Sequence, residues 1–125
     1  SGNLSFNSGY GSSAVAYGCR VWVSFNGTGT VAIVGSGNVS SITDNAVGDY
    51  TVNFTTAMPD TNYAVVTGMS GNANTTNGNE FYVSSKIVGP AYNSGYTTTG
   101  SIRMLSMDGS GTNRDCADLN LAVFR

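Results

Sequence analysis

Short runs of alternating apolar and polar residues recur along the chain, and no window keeps a 3.6-residue apolar period over three turns. In CRVWVSF (residues 19–25), Val21, Val23 and Phe25 share one face while Arg20, Trp22 and Ser24 share the other. In YTVNF (residues 50–54), Tyr50, Val52 and Phe54 point inward, with Thr51 and Asn53 outward. The final run, ADLNLAVFR (residues 117–125), sets Leu119, Leu121 and Val123 against Asn120, Ala122 and Phe124. Period-two alternation of this kind predicts strands with one buried face. Further strands are predicted over residues 30–34, 38–43, 63–69, 81–88 and 101–107.

The segments between these runs carry turn chemistry. NGTG (residues 26–29) predicts a tight hairpin turn, because Gly and Asn tolerate positive φ. DNAVGD (residues 44–49) reads as a polar turn, and the Gly-Ser-Gly at 35–37 as another. GNANTTNGN (residues 71–79) and GPAYNSGYTTTG (residues 89–100) read as long loops. In NFTTAMPDTNYAVV (residues 53–66), a Met-Pro-Asp corner separates two strands. Pro59 fixes φ and removes a donor, Met58 is driven extended, and Asp60 and Asn62 can close the turn with their side chains. Strands and turns in this rhythm predict an all-β antiparallel β-sandwich of jelly-roll type, with seven to nine short strands, over residues 14–125. Residues 1–13, SGNLSFNSGYGSS, read as a linker or as an arm lying on a neighbour.

Composition sharpens this picture. The chain has 125 residues, enough for one domain with a core of its own. Charged residues make up 10% of it, against about 25% in an average globular domain. Gly, Ser, Thr and Asn fill the gap, a mix that resists helix and offers neutral hydrogen-bonding groups. The cations Arg20, Lys86, Arg103, Arg114 and Arg125 are scattered, so no positive stripe exists to track phosphates and nucleic acid is not an expected partner. No apolar run reaches the roughly 18 residues of a membrane-spanning helix, so no membrane insertion is expected. The chain opens at Ser1 without Met and is expected to be a piece of a longer or processed product.

Catalytic groups are sparse. With no histidine, the commonest general base and metal ligand are missing. Glu80 is the single glutamate. Asp44 and Asp49 bracket a turn, where Asp is favoured for local hydrogen bonding, and are not read as a glycosidase pair. Asp108, Asp115 and Asp118 flank a Gly-rich turn whose spacing matches no calcium loop. No cofactor, metal or enzymatic activity is expected. Cys19 and Cys116 stand on the first and last strong strands, where either a disulfide or two small thiols would fit.

Binding or structural duty remains. Tyr92, Asn93 and Tyr96 in the second long loop, with Asn74 and Asn77 in the first, are the candidate receptor or glycan contacts. Tyr supplies contact area at low entropy cost, and Asn and Ser supply adaptable hydrogen bonds. Trp22, mid-strand, is read as core or subunit interface, and Pro59, Tyr63 and Phe124 are read as structural or interface positions.

One long segment, VWVSFNGTGTVAIVGSGNVSSITDNAVGDYTVNFTTAMPDTNYAVV, resembles a stretch found in tail-fibre and related virion-appendage proteins of tailed bacteriophages, including marine and freshwater types. The likeness rests on the Trp-bearing strand, the Asn-Gly-Thr-Gly turn, the GNVSSITDN and GDYTVNF blocks, the Pro-Asp-x-Asn-Tyr corner and the terminal NLAVFR. It covers residues 14–66 well and the last strand moderately, leaving residues 70–116 as a divergent region. The resemblance implies a C-terminal knob of a tail fibre, assembled as a homotrimer, with residues 1–13 leading in from a stalk. It further implies location in the virion, contact with other virion proteins, and non-catalytic binding of a host surface glycan or outer-membrane protein. The alternative is a capsid decoration or filament-forming subunit that contacts only copies of itself.

Overall fold

The computed structural model describes residues 2–7, 9, 11–70, 81–84 and 96–125, and every regular element among them is a β-strand. In chain order these are β1 (Ser5–Phe6), β2 (Ala14–Val15), β3 (Cys19–Asn26), β4 (Ala32–Gly37), β5 (Val39–Ala46), β6 (Asp49–Phe54), β7 (Ala64–Ser70), β8 (Phe81–Ser84), β9 (Ser101–Asp108) and β10 (Asp118–Phe124). Two antiparallel sheets, ordered β4-β3-β10-β7 and β5-β6-β9-β8, form the sandwich, while β1 and β2 pair only with each other.

The alternation explains the packing. Val21, Val23 and Phe25 from β3 and Leu119, Leu121 and Val123 from β10 face Tyr50, Val52 and Phe54 from β6 and Ile102 and Met104 from β9, all buried. Each inward set matches its period-two reading. Phe25 meets Tyr50 edge-on at 5.3 Å between ring centroids. The Tyr50 hydroxyl, carried into the interior, lies 3.0 Å from the Gly27 carbonyl and 2.8 Å from the Asp115 carboxylate. Burial and that carboxylate both push its pKa well above the ordinary tyrosine value.

The corner after β6 is closed as its sequence implies. Met58 is buried and its N–H donates to the Thr99 carbonyl. The Asn62 N–H donates to Asp60 at 2.8 Å, and Asp60 also pairs with Arg125. Tyr63 packs edge-on against Phe54 and donates its hydroxyl to the Thr98 carbonyl at 2.9 Å, a structural role; burial raises its pKa to about 12. Phe124 lies half-buried on the outer side of β10, opposite the inward set. The chain passes from the first sheet to the second at Asn38, whose φ is +57°. Its side chain holds that turn by donating to the carbonyls of Arg20 and Thr56 and accepting from the Thr56 N–H.

Two expectations need correction, and the choice left open for the two cysteines is settled in favour of thiols. The Gly-Ser-Gly at 35–37 is strand, part of β4, because it lies under Trp22: a Cβ on Gly37 would come within 2.7 Å of the indole Cδ1. The polar turn at 44–49 shrinks to residues 47–48, since Ala46 already pairs with Asp49 and Gly48 supplies φ +63°. No disulfide joins Cys19 and Cys116. Cys19 stands opposite Phe124 at one end of the β3–β10 ladder, and Cys116 bonds Gly27 beyond the other end. Eight residues of strand, about 26 Å at 3.3 Å each, separate these ends, whereas a disulfide needs Cα atoms within about 7 Å. Of the strand expected over residues 81–88, positions 85–88 lie outside the described residues.

Candidate functional site

The two sheets differ on their outer faces. On the second sheet, the outward residues of β5 and β6 are Ser41, Thr43, Asn45, Asp49, Thr51 and Asn53. Asn53 donates to Ser41 Oγ at 3.0 Å and Thr43 Oγ1 at 2.9 Å, and Asn45 donates to Thr51 Oγ1 at 2.9 Å and Asp49 Oδ1 at 3.2 Å. This is a ladder of polar side chains, neutral except for Asp49 at its end, with spare donors and acceptors.

The ladder runs into a groove of about 380 Å³ lined by Asp49, Tyr96, Arg103, Leu105, Met107, Gly111 and Asn113. Alternation along β9 sends Arg103, Leu105 and Met107 outward while Ile102 and Met104 stay in the core. Arg103 grips Asp49 with two nitrogens, Nε on Oδ1 at 2.6 Å and Nη2 on Oδ2. The guanidinium holds the Asp49 carboxyl below the usual range, partly offset by burial, and is itself made more basic by that carboxylate. The Arg103 guanidinium also lies 4.7 Å from the centre of the Tyr96 ring, a cation–π stack. Tyr96 is held there because its carbonyl accepts the Arg103 N–H at 2.9 Å.

The second wall comes from the loop after β9. Asp108 accepts from Ser110 N and Oγ, Thr112 N and Arg114 Nε, which drives its pKa far below the ordinary value. Its neighbour Asn113 bridges back to Met107. Asp108 is therefore committed to shaping the loop, and among the described residues no cluster of side chains able to hold a metal occurs.

The groove thus offers an aromatic edge, a fixed guanidinium–carboxylate pair, an amide and two apolar side chains. Of the expected contact residues, Tyr96 is in the groove, whereas Asn74, Asn77, Tyr92 and Asn93 lie outside the described residues. Asp49, Arg103 and Asn113 were not anticipated as site residues. One signal for Arg103 was present: a charge in the middle of an alternating strand, in a chain with few charges.

The first sheet is different. Trp22 is 47% exposed, so it belongs to the outer face and not the core. Strand pairing sets Gly37, Trp22, Ala122 and Val66 in one row across all four strands. A second groove, about 340 Å³, runs over Trp22, Ala122 and Val66 of this row and over Gly68 and Asn120.

No protein-family model and no curated protein matches the chain. Among solved structures, the fold is similar to part of the phiAB6 tailspike, crystallised in complex with three-repeated oligosaccharides of Acinetobacter baumannii surface polysaccharide. The TM-score is 0.55 at 17% sequence identity. The match takes in 97% of this chain and 23% of the tailspike chain, so the fold corresponds to less than a quarter of that protein. The chain therefore has a sandwich fold that also occurs within a phage tail appendage.

Proposed function

We propose that this chain is a non-catalytic recognition module of a phage virion appendage, a tail-fibre or tailspike tip assembled as a homotrimer, that binds a glycan on the host surface. The observation that carries the reading is the Tyr96–Arg103–Asp49 groove continuing into the Asn/Thr/Ser ladder. Sugars present flat C–H faces and rings of hydroxyls, and a half-exposed aromatic beside fixed neutral and paired polar groups meets both. Because Arg103 is neutralised by Asp49, the groove suits an uncharged sugar better than an acidic one. Asp49 is the one carboxylate among the described residues that line it, and its ion pair with Arg103 keeps it ionised at neutral pH, unsuited to the acid half of a glycosidase pair. The tail-appendage fold and the sequence resemblance both support a virion location.

The test is titration of the chain with oligosaccharides prepared from host surface polysaccharide, followed by calorimetry and by reducing-end assay. Saturable binding without release of reducing ends is expected, and Tyr96→Ala should weaken it by about tenfold or more, the equivalent of one lost stacking contact of about 1.4 kcal/mol. Binding unaltered by Tyr96→Ala and Arg103→Met would remove the groove from the account, and steady production of reducing ends would overturn the non-catalytic reading. A second reading, a capsid-decoration or filament subunit, draws support from the apolar row on the first sheet. Antibody labelling of intact particles separates the two by position and copy number.

A further inference from the structure

The groove on the second sheet changes character along β9. Tyr96 and the Arg103–Asp49 pair stand at one end, and Leu105, Met107 and Asn113 at the other. Backbone pairing fixes that second end. Strand β6 runs beside β9 only as far as Asp49, which stands opposite Leu105. Beyond it the loop after β9 takes over the same edge. The Arg114 N–H donates to the Ser106 carbonyl and the Asp108 N–H to the Thr112 carbonyl, both at 2.9 Å. Asn113 is thereby set directly across from Met107. Residues paired in this way point to one side of a sheet, with Cβ atoms about 5 Å apart. Leu105 and Met107 are two positions apart on the same side, about 7 Å along the strand. Both are half-buried, and so is Asn113, whose side chain makes no hydrogen bond to another described residue.

We infer that this end of the groove takes the acetamido group of an N-acetylated amino sugar. This rests on the glycan-binding function proposed above and names the class of sugar. An acetamido group ends in a methyl and carries one N–H donor and one carbonyl acceptor. A methyl resting between Leu105 and Met107 touches both at ordinary contact distances of about 3.5–4 Å. Asn113 has a donor and an acceptor of its own, so it can serve either half of the amide. Arg103 lies two positions from Leu105, again about 7 Å, so a ring seated against Tyr96 and Arg103 carries its substituent to the apolar end. A plain hexose has a hydroxyl there, and apolar walls give a hydroxyl no partner. Charge selects in the same direction. Acetylation leaves an amino sugar neutral, whereas a free amine brings a second cation to a carboxylate that Arg103 already holds.

The experiment is an NMR titration of the full 125-residue chain with six monosaccharides. These are N-acetylglucosamine, N-acetylgalactosamine and N-acetylmannosamine, each beside its parent hexose. One covered methyl and one added hydrogen bond correspond to a preference of about tenfold. At least one N-acetylated sugar is expected to show it, and to move the Leu105 and Met107 methyl signals and the Asn113 side-chain amide. Asn113→Ala and Met107→Ser should each bring the ratio toward one, with urea midpoints reporting that the variants fold. If a variant does not fold, the wild-type ratio and the signals that move decide alone. Equal affinity within every pair, a ratio unmoved in both folded variants, or no binding by any of the six overturns the acetamido site. Oligosaccharides from host surface polysaccharide separate that failure from a wider one. If they still bind in calorimetry, the glycan-binding reading stands without the acetamido site; if they do not, both fall.

Discussion

The two outer faces of the sandwich are built on identical inner logic and end up opposite in character. Both sheets alternate, and both send a stripe of Val, Leu, Ile, Met and aromatic residues into one core. Outward, the second sheet stitches its side chains together, with Asn53 and Asn45 each serving two neighbours and Arg103 clasped to Asp49. The first sheet instead clears space with glycine beneath Trp22 and leaves a row of apolar surface. A face whose polar groups already bond one another keeps only directional valences to spare, which suits a hydroxyl-rich ligand. A face of bare hydrocarbon gains most from being covered.

The strongest way to break the comparison lies at Gly48, behind the polar face. Any Cβ there would lie 2.5 Å from the Ser106 carbonyl oxygen, at a φ of +63°. Gly48→Val should cost about 3 kcal/mol or more, seen as a large drop in urea midpoint. On the apolar face, Gly37→Ala should cost about 1–3 kcal/mol by displacing the indole. Adding Trp22→Ala should return much of that loss, because the clash is pairwise. Full additivity of the two changes would show that the glycine serves something other than the tryptophan.

Arg103→Met tests the ion pair. With Arg103 partly exposed, its loss should cost about 1–2 kcal/mol at pH 7. Asp49 has its pKa lowered in the folded chain, so its contribution is present above the unfolded value and fades as pH falls through the folded one. The difference between Arg103→Met and wild type should therefore shrink below about pH 4. At the alkaline end the sign reverses. Tyr63, with its pKa raised to about 12, and Tyr50 stabilise the fold fully below about pH 10 and progressively less above it. With no histidine in the chain, urea midpoints should be nearly flat from pH 5 to 8. The smallest effect is Val66→Ser, about 0.5 kcal/mol or less in dilute monomer. Its consequence should appear in association alone.

The sandwich was legible in the sequence because period two is imposed by the pleat itself, and β3, β6 and β10 each have three inward residues in step. Asp60 with Asn62 was legible for a similar reason, since its hydrogen bond spans only two residues. The tight turn read at 26–29 is instead a longer loop over residues 27–31, because Asn26 still pairs with Ala32. The Gly-Ser-Gly of β4 was misread because its justification is Trp22, thirteen positions or more earlier in the chain. The groove was half legible. Tyr96 stood out as an aromatic in a polar loop, but its partners Arg103 and Asp49 are joined across the sheet by a contact between residues 54 positions apart. Alternation says which side of the sheet a residue faces, and is silent on which outward neighbours it will meet.

Trp22 is the chain's one tryptophan, and it stands on the apolar face. Its fluorescence is therefore a built-in gauge of a single surface. Emission should shift to the blue and resist quenching when copies assemble, and stay unchanged when a sugar enters the groove around Tyr96 on the opposite sheet. One optical signal, with no label attached, can thus tell the two faces apart in the same cuvette.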